Sequence, residues 1–142
     1  MVGFPGETDA HFQETYDLLE STPLFYTHVF KYSEREGTAS CRMPDTVDPP
    51  TAAQRSAAII RLSAELTRNF HAQQVGRAID VLFEHQRDGL WTGYTGNYTR
   101  IATRSNNDLT NVLRTVTPTE VCGDLLFATL DEPASKPELV EV

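Results

Sequence analysis

Residues 28–44, HVFKYSEREGTASCRMP, change character halfway along, and the reading of that change decides the fold. Up to Tyr32 the chain is aromatic and β-branched, and Phe25, Val29 and Phe30 fall in a segment that predicts a short buried strand over residues 24–32. Residues 33–44 turn to Ser, Arg, Glu, Gly and Thr, a composition no core strand continues, with Gly37 free to take a left-handed angle. The junction reads as a strand feeding a shaped loop. In α/β proteins such loops carry function, because the sheet holds them while their side chains face a ligand. Arg35 and Thr38 are the first candidates there, against the plain alternative of a solvated loop.

Working outward, residues 1–4 are apolar and run into Pro5-Gly6, as the end of a strand would. Thr8 is the N-cap of a helix, with Asp9 near its positive end. Phe12, Tyr16 and Leu19 share one face of that helix, and Ser21-Thr22-Pro23 stops it. The order strand, helix, strand implies a parallel sheet. Downstream, Asp48-Pro49-Pro50 opens a second helix that runs from Thr51 to about Gln74. Its apolar stripe is Ile59, Leu62 and Leu66, continued by Phe70, with Arg55, Arg61, Glu65 and Arg68 around it.

Gly76 ends the helix, and the pattern then shortens to β segments over residues 78–83, 90–93, 98–103, 112–116 and 125–130. Asp88-Gly89, Thr95-Gly96-Asn97, Ser105-Asn106-Asn107 and Thr117-Pro118 separate them. Five short strands so punctuated predict a small barrel of the OB type. Residues 131–142 hold two prolines and four acids, which predicts a flexible acidic tail. The fold class is therefore α/β over residues 1–75, followed by all-β over residues 76–130.

The 142 residues, 39% hydrophobic and 23% charged, are enough for one ordinary domain or two small ones. No apolar run approaches the ~20 residues of a membrane span, and the N-terminus lacks a basic, apolar signal pattern. Net charge is −8, but residues 76–130 carry five arginines against six acids, which leaves room for a locally positive face. Cys41 and Cys122 have no partner at close spacing, so reduced thiols and a cytoplasmic location are expected.

Four motifs in order, VGFPGET at residues 2–8, HVFKYSEREGT at 28–38, RMPD at 42–45 and WTGYTGNYTR at 91–100, resemble the radical-S-adenosylmethionine tRNA methylthiotransferases. The His-Val-Phe before Tyr-Ser and the Gly-Tyr-Thr-x-Asn-Tyr segment are most similar to the branch that methylthiolates threonylcarbamoyladenosine beside the anticodon. The resemblance implies the end of a partial βα barrel over residues 1–75 and a TRAM domain, an OB-like RNA-binding barrel, over 76–130. It implies S-adenosylmethionine and two [4Fe–4S] clusters in the full-length family, and an anticodon stem-loop as partner. The CxxxCxxC motif for the radical-generating cluster is absent here, so this chain is expected to ligate no cluster, to lack the N-terminal portion of the enzyme and not to catalyse alone. Two positions depart from the family's pattern: Lys31 stands where Pro is frequent, and Ala39 follows Thr38 where Pro is common.

On that resemblance Gly3, Pro5, Gly6 and Glu7, with Ser33, Arg35, Gly37 and Thr38, are the candidate cofactor- or substrate-binding residues. Arg35 suits a carboxylate or phosphate, since a guanidinium clamps either bidentately. The plain alternative for GFPGET is a tight strand-to-helix turn. Trp91, Tyr94, Asn97, Tyr98 and Arg100 combine aromatics with a cation, the composition OB-type barrels present to single-stranded RNA, although alternating aromatics also build a barrel core. No residue is assigned as a metal ligand, and His28, Cys41 and Cys122 read as structural. The competing function classes are a free-standing RNA-binding module, a methylthiotransferase acting on isopentenyladenosine tRNA or a ribosomal protein, and a fragment without function.

Overall fold

In the computed structural model, which describes residues 1–130, the chain divides into two compact units, Met1–Asn69 and the residues from Phe70 onward. The acidic tail expected at 131–142 lies outside the described residues. Among those described, no helix is long and apolar enough to cross a membrane.

In the first unit helix α1, Asp9–Ser21, starts where its capping residue dictates: Thr8 accepts from the His11 N–H, and His11 Nδ1 accepts from the Thr8 N–H. Phe12, Tyr16 and Leu19 are half-buried while the rest of the helix is exposed, so the expected stripe is the packed face. Helix α2, Pro49–Gln74, begins two residues earlier than expected, because the prolines sit in its first turn and Asp48 accepts from the Thr51 N–H at 3.0 Å. The Thr51 hydroxyl first, and then that bond, draw the Asp48 pKa below its ordinary value. Ile59 and Leu62 are buried on one face.

The buried strand expected over residues 24–32 is a correction. The segment is extended but has a single ladder contact, a parallel bridge between Val2 and Lys31 made by Val2 N–H to Phe30 O and Tyr32 N–H to Val2 O. Side chains alternate, with Leu24, Tyr26, His28 and Phe30 exposed and Phe25, Thr27 and Val29 half-buried. Helix α2 holds that inner side through Thr27 N–H to Ser63 Oγ at 3.1 Å and Thr67 Oγ1 to Phe25 O at 2.6 Å. A strand's composition alone makes no ladder; it needs a neighbour along its length, and Val2 supplies one residue of it. The parallel direction agrees with the predicted strand, helix, strand order.

In the second unit five strands, β1 (Ile79–Arg87), β2 (Leu90–Thr95), β3 (Arg100–Arg104), β4 (Val112–Cys122) and β5 (Leu125–Leu130), close a barrel in the order β1-β2-β3-β5-β4. Only the β3–β5 pair is parallel. This is the five-stranded OB-like, TRAM-like barrel that the sequence predicts, with β1 and β4 longer than expected. β4 is long because it pairs with β1 through Val112–Val116 and with β5 through Val116–Cys122, bending at a bulge beside Pro118, a residue with no amide to give. Inside lie Val81, Phe83, Trp91, Ile101, Leu109, Val116, Leu126 and Ala128.

Gly93 shows how closely β1 and β2 approach. A Cβ there would lie 2.1 Å from Leu82 O and 2.8 Å from Phe83 Cα, both backbone atoms that cannot swing aside. Gly93→Ala is therefore expected to cost about 3 kcal/mol, the upper end for overpacking. Gly96→Ala, with nothing within 4 Å and no left-handed angle, should stay within about 0.5 kcal/mol. Urea unfolding followed by Trp91 fluorescence measures both; equal midpoints for the two variants would contradict the predicted clash.

Candidate functional site

Each unit carries a candidate site of its own. In the first, the Val2–Lys31 bridge sets the Gly3–Glu7 turn beside the loop that begins at Ser33. Gly3 and Pro5 line a hollow of about 240 Å³ together with Lys31, Tyr32, Glu34 and Ala52. Ser33, Arg35 and Thr38 line a second, of about 480 Å³, with Phe30, Lys31 and Tyr32. Lys31 and Tyr32 form part of both walls, and neither was singled out as a site residue from the sequence. The Tyr32 hydroxyl is enclosed and has no hydrogen-bond partner; the ring packs edge-on against Phe4.

Glu7 and Thr38 turn out to build the site. Glu7 Oε2 accepts from the Gly3 N–H at 2.9 Å and Oε1 from Arg55 Nη1 at 2.6 Å, while the second Arg55 nitrogen reaches Asp9 Oδ1 at 2.6 Å. Thr38 Oγ1 donates to Arg35 O at 2.8 Å, and the Cys41 thiol reaches the same carbonyl at 2.9 Å. Gly3, Gly6 and Gly37 have φ of 78°, 84° and 83°, and Gly3 has a further constraint, since a Cβ would sit 2.9 Å from the Ala52 Cβ. The side chains left to meet a ligand are Ser33, Arg35 and Lys31.

Arg55, which the sequence places only among the charged residues around the stripe, is enclosed. Its side chain is 8% exposed. Residues 55, 59, 62 and 66 follow helical spacing, so an arginine at the head of an apolar face, facing an acid-rich turn, was the available signal. Its pKa is raised, first by the Asp9 hydrogen bond and then by Glu7, against the opposing effect of burial.

Chemically, the larger hollow offers two cations and hydroxyls, which suits a carboxylate or phosphate. The unmatched Tyr32 hydroxyl is a further donor there. An iron–sulfur cluster does not fit: the chain has two cysteines, in different units, where a CxxxCxxC motif brings three thiolates to one cluster. Among the described residues no cluster of His, Cys, Asp and Glu could hold a metal ion.

On the barrel, strand register assembles a row across four strands. Leu113 on β4 faces Leu82 on β1, Leu82 faces Tyr94 on β2, and Tyr94 faces Arg100 on β3. All are exposed, Leu82 at 40%, Tyr94 at 43% and Leu113 at 64%. Tyr98 adjoins its end in the β2–β3 turn, 83% exposed and at a left-handed φ of 63°. A bulky residue held at that angle is a strained choice, tolerated where the surroundings determine it. Here they do: Tyr98 N–H bonds Thr95 O at 3.0 Å, and Asn97 Oδ1 receives the Thr95 hydroxyl and the Thr99 N–H.

Three of the five barrel residues singled out, Tyr94, Tyr98 and Arg100, thus face outward together. Asn97 shapes the turn. Trp91 is 4% exposed and belongs to the core, because β2 alternation puts it on the opposite face from Tyr94. Leu82 and Leu113, not anticipated, widen the apolar surface; only cross-strand register reveals them.

No family model matches the chain. It is similar to the threonylcarbamoyladenosine tRNA methylthiotransferase MtaB of Bacillus subtilis (strain 168), 32% identical over 114 residues, 77% of this chain and 25% of the relative. It is 40% identical over 84 residues to the ribosomal protein uS12 methylthiotransferase RimO of Synechococcus sp. (strain CC9605), 59% of this chain and 18% of that protein. It is 39% identical over 82 residues to the tRNA-2-methylthio-N(6)-dimethylallyladenosine synthase of Acidothermus cellulolyticus, 58% of this chain and 16% of that enzyme. The chain therefore spans a quarter or less of the length of these relatives. Their named substrates differ and the methylthio group is common to all three; on that similarity, with the barrel the sequence predicted, the chain belongs to the methylthiotransferase family.

Proposed function

We propose that the chain is part of a cytoplasmic radical-S-adenosylmethionine methylthiotransferase that modifies N6-threonylcarbamoyladenosine beside the tRNA anticodon. In this reading residues 76–130 are a TRAM domain that grips the anticodon stem-loop, and residues 1–75 contribute to the mouth of the catalytic barrel. The observation that carries it is the outward row of Leu82, Tyr94 and Arg100 with Tyr98 at its end, since rings beside a cation stack unpaired bases and hold their phosphates. The threonylcarbamoyladenosine branch is favoured by the extent of similarity, 77% of the chain against 59% and 58% for the other two relatives. S-adenosylmethionine supplies radical and methyl group in such an enzyme, and Arg35 with Lys31 would hold its carboxylate. With two cysteines and no cluster ligand set, the chain by itself supplies binding and orientation.

The test is binding of the whole chain to anticodon stem-loops with and without the threonylcarbamoyl group. The modified stem-loop should bind tighter. Tyr98→Ala should cost about 1 to 3 kcal/mol of affinity through lost stacking, and Arg100→Ala should reduce the salt dependence by about one counterion. A second reading, a ribosomal-protein substrate, draws on the 40% identity to the uS12 methylthiotransferase. Binding to uS12, with stem-loop affinity unmoved by Tyr98→Ala, would select it.

A further inference from the structure

The geometry points to a second nucleic-acid contact on the barrel: a polar cleft beside Trp91 that receives an unpaired base bearing an exocyclic amino group. The inference rests on the RNA-binding reading above and deepens it. The cleft has a volume of about 430 Å³ and is walled by Gln86, Trp91, Asn106, Asn107, Asp108 and Thr110, a size within the ~300 to 1,000 Å³ of small-molecule sites. Gln86 and Trp91 face each other across β1 and β2, and the other four residues belong to the connection from β3 to β4.

That connection is fixed before anything enters. Leu109 anchors it in the core at 2% exposure. Asn111 N–H bonds Phe83 O at 2.9 Å, Asn107 N–H bonds Ser105 Oγ at 3.0 Å, and Asp108 Oδ1 takes both the Thr110 N–H and its hydroxyl, at 2.9 and 2.7 Å.

The walls exclude some ligands by their chemistry. They hold no lysine or arginine, and the Thr110 bonds keep the Asp108 carboxyl below its ordinary pKa, so it is an anion at neutral pH. A phosphate is repelled. The carboxamides of Gln86, Asn106 and Asn107 make no hydrogen bond among the described residues, and each offers both donors and an acceptor, the mixture a base edge presents in return. The Trp91 Nε1–H, enclosed and without an acceptor, is one donor more than the barrel uses. The free oxygen of Asp108 only accepts. It takes the amino group of cytosine, adenine or guanine and repels the corresponding carbonyl of uracil. Tyr94 lies three residues along β2 from Trp91, about 10 Å, so one short oligonucleotide can reach both contacts.

Trp91 is the sole tryptophan of the chain, so its indole N–H resonance reports on the cleft by itself. The experiment titrates the whole chain with hexamers of cytidylate, adenylate and uridylate. Cytidylate and adenylate should move the indole resonance saturably and bind about tenfold tighter than uridylate. Asp108→Asn, which retains the acceptor for Thr110, should abolish that preference. Joint Gln86→Ala and Asn107→Ala, both at exposed positions, should lower cytidylate affinity about tenfold and leave thermal melting unchanged. Tyr98→Ala should weaken all hexamers alike and keep the indole shift. Hexamers that bind and weaken with Tyr98→Ala while the indole resonance stays still would reject the cleft and leave the RNA-binding reading standing. No binding of any hexamer would reject both.

Discussion

Arg55→Ala is expected to destabilise the first unit by about 3 to 5 kcal/mol, the cost of removing one member of a buried ion pair. The magnitude comes from what is stranded. Glu7 is 14% exposed and takes its two contacts from Arg55 and the Gly3 amide, and the Glu7 carbonyl also accepts from Arg55 Nη1 at 3.0 Å. Without the guanidinium that carboxylate is enclosed with one donor. The Asp9 arm contributes little, because its carboxylate is 98% exposed and water screens it, even though its bond is the largest cause of the raised Arg55 pKa. The guanidinium also lies over the Phe12 ring, 5.6 Å from its centroid, so packing is lost as well as charge. Arg55→Lys keeps the charge without the fork and should recover part of the loss. Joint Arg55→Leu and Glu7→Gln should recover more. Urea unfolding followed by far-ultraviolet circular dichroism reads α1 and most of α2; an Arg55→Ala midpoint within error of the parent would show a solvated cluster.

This cluster marks where the sequence stops being legible. Period and caps are local properties, so α1, α2 and four of the strands could be read from the chain to within about four residues, whereas β4 runs through Thr117-Pro118, expected as a separator, to Cys122. Ladder formation is not local: residues 24–32 have the composition of a strand, yet the structure gives them one bridge because pairing depends on what lies alongside. The same limit governs the sites. Arg35 was visible as a residue type in a loop and Tyr98 as an aromatic at an expected strand start, whereas Arg55 meeting Glu7 across 48 positions, or Leu113, Leu82, Tyr94 and Arg100 aligning in one row, exists only after the chain is folded. WTGYTGNYTR was legible as an aromatic segment, but which ring faces inward depends on the phase of β2. Gly93 sits between Trp91 and Tyr94, and the clash its Cβ would make with Leu82 O shows how tightly that phase is held.

That phase leads to the second large effect. Trp91→Ala should destabilise the barrel by about 3 to 5 kcal/mol, as for other buried aromatics reduced to alanine. Its ring belongs to the core that includes Phe83, Ile101, Leu109 and Leu126, at 4% exposure, and alanine leaves a cavity these residues can fill only by moving strands paired on both sides. A loss of that size consumes much of a small domain's ~5 to 15 kcal/mol. Tyr98→Ala, at 83% exposure, should change stability by no more than about 0.5 kcal/mol. The two aromatics, seven positions apart in one motif, therefore separate in opposite directions: Trp91→Ala through folding, Tyr98→Ala through RNA affinity. Because Trp91→Ala removes the fluorophore, amide hydrogen exchange across β2 and β3 is the measurement, together with stem-loop binding at a temperature where both variants are folded. Faster exchange for Trp91→Ala with a folded-state affinity reduced less than that of Tyr98→Ala is the expected pattern. Parent-like exchange for Trp91→Ala would overturn its assignment to the core, whatever its effect on affinity.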